Sequence, residues 1–278
     1  ENDWAWKTLV YGLTGDIDTI ASLKRNFPTI RCEIEKQRPK LVKGAGVEYQ
    51  DGDLLDASHL YNRHLLNSDS IDHFSLNSSD FIFFSKSRIH RPRKENLFES
   101  PYCYCLLLKG IDTSNFTMRS VYSEENFVFR QAVYAFKGTA AQKPFLENLT
   151  GLFNSTLYAY FNLLTGSSLG VEREQRLLEE VLDFPFIYNE SIVSKVEQIQ
   201  KIRNRGDSFT CADLEHEISA LNQIIIDAFG LSGNEFIDYA LRIQIPQLTG
   251  TNDHDVYRNA EEKDFNEYSK YYYKYLSD

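Results

Sequence analysis

Apolar residues change their spacing near Pro144, and the change divides the chain. Between positions 81 and 136 they come in short runs or alternate, and beyond Pro144 they recur every three to four positions. The first pattern suits strands, whose successive side chains point to opposite faces; the second suits helices with one apolar stripe. Strands are expected at 81–84, read as a buried run, at 102–108 ahead of Lys109-Gly110, and across 116–122. In the last, Phe116, Met118 and Tyr122 face one way and Thr117 and Arg119 the other. A further β-rich run covers 127–136 and stops at Gly138. The helical pattern then predicts one broad apolar face on Leu149, Leu152, Phe153, Thr156, Leu157, Tyr160, Phe161 and Leu164. Pro144 suits its first turn and Gly166 its end.

Two further stripes follow, one on Ile192, Val196, Ile199 and Ile202, the other on Leu214, Ile218, Leu221 and Ile225. Thr210 with Asp213 offers a capping box for the second and Gly230 its stop. Ser232 with Glu235 would open a short helix through Tyr239. Near the start, 5–27 has helical spacing (Trp6, Leu9, Val10, Leu13, Ile17, Ile20, Leu23), is expected to break at Gly12 and Gly15, and ends at Pro28. Residues 36–80 are polar and turn-rich. The expected class is α+β: a β-meander or mixed sheet platform over about 40–140, then a mainly helical layer over about 145–240. The expected division is an N-terminal helical linker segment (1–35), a β-rich part (36–143), a helical part (144–250) and a charged, tyrosine-rich tail (251–278).

With 278 residues, 42% hydrophobic and 25% charged, the composition is that of a globular protein large enough for a real core. No apolar run approaches the roughly 20 residues that cross a bilayer. Glu1-Asn2-Asp3-Trp4 does not read as a signal peptide. A cytoplasmic protein without a membrane is expected. Cys32, Cys103, Cys105 and Cys211 lack zinc or redox spacing and read as buried, reduced thiols.

The net charge of −10 argues against a uniformly basic nucleic-acid binder, but the cations are not evenly spread. Lys86, Arg88, Arg91, Arg93 and Lys94 crowd into 85–94 without a carboxylate. Lys36, Arg38, Lys40 and Lys43 form a second group, and Lys201, Arg203 and Arg205 a third. Cations within reach of one another neutralise phosphates and release counterions, and arginine's fork matches guanine O6 and N7. Pro92 stiffens the segment, which lowers the ordering cost of binding. Two readings of it stay open: a phosphate-facing strip, or a solvated hairpin connection that balances an acidic protein.

Catalytic and metal motifs are missing from the sequence: no nucleophile elbow, no zinc-protease pair, no phosphate loop, no zinc spacing. Gly44-Ala45-Gly46 lacks the third glycine of a nucleotide loop. Glu215-His216-Glu217 reads as a solvated helix face, and His59, His64 and His73 as surface or loop residues. No catalytic, cofactor-binding or metal-binding residue is assigned.

Several segments, taken in order, resemble the specificity region of adenine-N6 DNA methyltransferases from restriction-modification systems, the TaqI-like C-terminal specificity domain. Leu149 to Phe161, with Asn154-Ser155, then Gly166 to Arg173, then Leu177 to Pro185, resembles its leucine-asparagine-serine helix, serine-glycine loop and leucine/glutamate helix ending at proline. Trp6-Lys7 through Gly12, with Asp16, Ile17 and Leu23, resembles the segment just after the catalytic domain. Ile89-His90-Arg91-Pro92-Arg93, followed by Leu97-Phe98 and Pro101, resembles an arginine-proline turn leading into a central strand. Glu217 to Glu235, with Leu221-Asn222 and Phe229-Gly230-Leu231-Ser232, resembles the family's ending.

The family's catalytic asparagine or aspartate before Pro-Pro-Tyr or Pro-Pro-Phe is absent, as is its glycine-rich S-adenosylmethionine loop. The resemblance therefore implies a non-enzymatic portion of a longer methyltransferase. Such a module reads double-stranded DNA while a catalytic domain or subunit, the holder of S-adenosylmethionine, acts on a flipped adenine. It places Lys86, Arg88, Arg91, Arg93 and Lys94 on the duplex, with Lys40 and Lys43 as flanking phosphate contacts. A protein-interaction scaffold, favoured by the acidic charge and 36 Phe and Tyr residues, is the alternative. A hydrolase or nuclease with scattered carboxylates is the third reading, and the missing signature disfavours it.

Overall fold

The computed structural model describes residues 4–12, 14–49, 52, 54–77, 82–106, 118–166, 177–204 and 211–233. The chain is α+β. Helices α1 (Ala5–Tyr11), α2 (Thr14–Asn26) and α3 (Ile30–Lys36) come first. Strands β1 (Val42–Ala45), β2 (Leu55–Asp56), β3 (His64–Leu66), β4 (Ile71–Asp72), β5 (Ser75–Leu76), β6 (Ile82–Phe83), β7 (Arg88–Ile89), β8 (Tyr102–Leu106), β9 (Ser120–Ser123), β10 (Val128–Phe129) and β11 (Val133–Lys137) follow. Helices α4 (Lys143–Phe153), α5 (Thr156–Thr165), α6 (Leu178–Leu182), α7 (Glu190–Asn204) and α8 (Cys211–Ala228) close the described chain. No helix among the described residues is long and apolar enough to cross a membrane.

The central sheet has the order β1-β11-β8-β9 and is antiparallel throughout. It is not a simple meander, since β11 sits between β1 and β8; of the smaller sheets around it (β10-β3-β6, β2-β7, β4-β5), the first is mixed, with β10 parallel and β6 antiparallel to β3. Both of its faces are covered. Tyr134 and Phe136 enter a core shared with the helices, while Val133 and Ala135 enter a second core built from the small strands. The same alternation sends Tyr122 one way and Val121 the other. The expected alternation across 116–122 therefore holds where it is described: Met118 and Tyr122 share the helical core, and both faces of β9 are buried.

The 81–84 run is not a buried strand. β6 is the edge of its sheet, with Ile82 and Phe83 more than half exposed and Phe84 buried. The 127–136 run is two strands, because Arg130 to Ala132 turn between β10 and β11. Leu107 and Leu108 lie outside the described residues, as do Thr210, Glu235, most of the serine-glycine loop and the tail.

The single apolar face of 145–164 is carried by two helices. Asn154-Ser155 breaks them: the Ser155 hydroxyl accepts the Tyr158 amide at 3.1 Å, the N-cap bond that opens α5. Asn222 of α8 supplies a second cap, its carbonyl accepting the Thr156 amide at 2.9 Å. Asn154 binds the sheet instead. Its amide donates to the Ser120 and Thr150 carbonyls, and its carbonyl oxygen accepts the Ser120 amide and lies 2.9 Å from His73 Nδ1. His73, expected at the surface, is thus buried where the β4–β5 hairpin meets α4.

The N-terminal helices belong to the helical core through Ile20, Leu23, Ile30 and Ile34. Buried Lys7 donates to the Gly166 carbonyl at the end of α5, and Thr8 to that of Leu164. Cations suit a helix C-terminus, yet burial pulls the Lys7 ammonium down to about 8. Tyr160 donates to buried Asp16 at 2.6 Å. The break between α1 and α2 falls at Gly12, as expected, whereas Gly15 lies within the first turn of α2 and breaks nothing. Gly230, at φ +71, ends α8, with its amide on Asp227 and that of Leu231 on Ile226. Cys32 is exposed rather than buried, because it lies on the outer side of the short α3.

Helix α4 crosses α7 at Gly151, where an added Cβ would stand 2.6 Å from Ile192 Cγ2 and 2.9 Å from Val196 Cγ2. Both neighbours are β-branched and stiff. Gly151→Val is expected to destabilise the fold by about 2 kcal/mol through overpacking, measured by urea unfolding; an unchanged midpoint would mean that the crossing adjusts freely.

Candidate nucleic-acid interface

Beyond Ala45 the backbone of β1 continues as a seam between two other segments. Val47 donates to the Phe129 carbonyl and accepts from Gln131, while Glu48 and Arg91 exchange amide-carbonyl bonds of 3.2 and 3.1 Å. Gly46 is needed at the start of the seam: a Cβ there would strike the Phe129 carbonyl. This is close packing of a strand end, so Gly44-Ala45-Gly46 is not a phosphate loop.

The seam gathers the cationic segment. Glu48 Oε1 accepts from Arg93 at 2.7 Å and Arg91 at 3.2 Å. The next residue, half-buried Tyr49, meets two cations: Lys86 Nζ is 5.0 Å and the Arg130 guanidinium 4.7 Å from its ring centroid. Such contacts stabilise each cation by roughly 0.5–1 kcal/mol where exposed. Burial pushes the Tyr49 hydroxyl up, against the pull of Arg130. Arg88 lies on β7 opposite Asp56 and donates twice to the Leu54 carbonyl. Arg93 takes φ +64, a left-handed conformation uncommon for arginine. Its side chain donates to the Gly46 carbonyl, and its own carbonyl lies 3.2 Å from His59 Nε2.

Arg91 and Arg93 thus share Glu48, Lys86 stands on Tyr49, Arg88 is held on the Leu54 carbonyl, and Lys94 is exposed. Lys43 is exposed on β1, about 10 Å along the strand from Gly46 at 3.3 Å per residue. Lys40 precedes β1 and is farther still. Neither they nor Lys94 forms an ion pair among the described residues. Sequence reasoning missed Glu48, Tyr49 and Arg130. The segment lacks carboxylates in sequence but not in space, because Glu48, 43 positions before Arg91, is delivered by the seam. No local signal marks Glu48 or Arg130. Leu54, Leu55, Tyr61, Ile82 and Phe83, each 46–61% exposed, add apolar surface to the small strands that carry these cations.

No family model matches the chain, and no curated protein does. Among solved structures, it is similar to the Type IIL restriction-modification enzyme MmeI, solved in complex with DNA. The identity is 13% and the TM-score 0.47, covering 76% of this chain and 36% of that one. It is also similar to the HsdS subunit from Thermoanaerobacter tengcongensis, at 13% identity and TM-score 0.23, covering 78% of this chain and 52% of that one. The chain thus spans about a third of the first and half of the second.

Proposed function

We propose that this chain reads DNA sequence as the recognition module of a restriction-modification adenine-N6 methyltransferase, holding the duplex for a separate catalytic domain or subunit. The observation that carries the reading is the gathering of Arg91 and Arg93 on Glu48, and of Lys86 and Arg130 on Tyr49, in a protein of net charge −10. Lys86, Arg88, Arg91, Arg93 and Lys94 line the duplex in this reading, with Lys40 and Lys43 on flanking phosphates. Arg91 fits the role well, since it keeps N–H groups free of Glu48 and its side chain is 55% exposed. The order of the sequence motifs supports the same assignment. In this reading S-adenosylmethionine belongs to the catalytic partner.

Fluorescence anisotropy with duplex DNA at low salt, followed by a salt titration, tests the reading. Removing each phosphate contact reduces the salt slope by about one, so Arg91→Ala with Lys94→Ala is expected to lower it by about two on any sequence. Glu48→Gln, which releases two guanidiniums, is expected to strengthen binding on all sequences alike. If the double variant keeps both affinity and slope, the strip is a solvated turn. An interaction scaffold is the second reading, favoured by exposed Leu54, Leu55, Ile82 and Phe83. It predicts no salt-dependent DNA binding by the unmodified chain.

A further inference from the structure

On the helical side of the sheet, the β4–β5 hairpin, the end of β9, α4 and α7 enclose an open cleft of about 530 Å³. Its charged lining is Glu124, Glu125, Glu147 and Glu197 against Lys143 and Lys201, four carboxylates to two ammonium groups. The Lys143 ammonium is 3.5 Å from Glu124, 3.6 Å from Glu147 and 3.7 Å from Glu197. It also lies 5.4 Å from the Tyr122 ring centroid. Carboxylates converging on a cation beside an aromatic face are the chemistry that holds an alkylammonium.

One acceptor is unused. Glu147 is 2% exposed, and its Oε2 has no hydrogen-bond partner among the described residues. A buried oxygen left so costs roughly 1–3 kcal/mol relative to a bonded one. Burial also raises the Glu147 carboxyl to about 7, as expected for an anion short of compensation. A metal ion is a poor match: no group of three or more His, Cys, Asp or Glu side chains among the described residues suits one. Anionic ligands meet a net negative lining. Phe74, Leu76 and Val121 supply apolar wall for an alkyl stem.

We propose that this cleft binds a small alkyl diamine or polyamine, one ammonium group meeting the Glu147 carboxylate and the remaining charge the other glutamates. The site is independent of the DNA-reading surface. Calorimetric titration of the full chain with 1,4-diaminobutane at pH 8 and low ionic strength, against potassium chloride of matched ionic strength, tests it. Saturable binding at a single site is expected, weakened at least tenfold by Glu147→Gln. Glu197→Gln, at a half-exposed position, is expected to weaken it several-fold without threatening the fold. Heats no different from potassium chloride would overturn the proposal, as would equal affinity in the protein and in both variants.

Discussion

Asn154→Ala is expected to be among the most damaging single substitutions in this chain, destabilising it by roughly 3–5 kcal/mol. Asn154 is 2% exposed and ties the α4–α5 joint to β9 and the β4–β5 hairpin through Ser120, Thr150 and His73. Each buried hydrogen bond contributes about 1 kcal/mol net, and deleting a partner adds desolvation cost. Alanine also leaves a small void between helix and sheet. Asn154→Leu fills that void but restores no bond, so it is expected to lose nearly as much. Thermal unfolding of both variants decides the matter. A midpoint within a degree or two of the parent would show that the joint holds without the amide.

Glu147→Gln is expected to act in the opposite direction, and only at higher pH. Its folded value of about 7 lies above the ordinary 4.5, chiefly because burial disfavours the charged form, with Lys143 pulling the other way. The fold therefore holds the proton more tightly than the unfolded chain. Stability from this group is complete below pH 4.5 and is lost as pH rises through about 7. The gap of about 2.5 units corresponds to about 3 kcal/mol at pH 8, at 1.36 kcal/mol per unit. Glutamine stands in for the protonated form, so the variant should match the parent at pH 4.5 and exceed it at pH 8. Denaturant melts at the two pH values read the difference directly. Equal stability at pH 8 would mean that Glu147 ionises at no cost.

The helical half was legible because its stripes are long. Ile192, Val196 and Ile199 lie in the core where their spacing places them, as do Leu221 and Ile225. The interruption at Asn154-Ser155 was not legible, because the apolar period runs straight across it. Only the partners of those side chains reveal the break. In the β half the runs are short, and burial depends on neighbours that periodicity cannot supply. The same apolar composition gives a buried Phe84 and an exposed Phe83. The cationic segment was legible as composition. Its modulation by Glu48, Tyr49 and Arg130 was not, because those residues arrive through long-range pairing.

The sheet that separates the two cores has a consequence for how the molecule comes apart. Along β11, neighbouring residues belong to different cores, so no backbone boundary exists at which one core can melt while the other persists. Amide protons of Val133 to Phe136 should exchange with solvent only when the whole molecule opens, whereas those of the β2–β7 pair at the periphery exchange by local fraying. A slip of one residue in β11 would send Tyr134 and Phe136 into space shaped for Val133 and Ala135. Both cores therefore enforce one register, and misassembly on either side is penalised by the other.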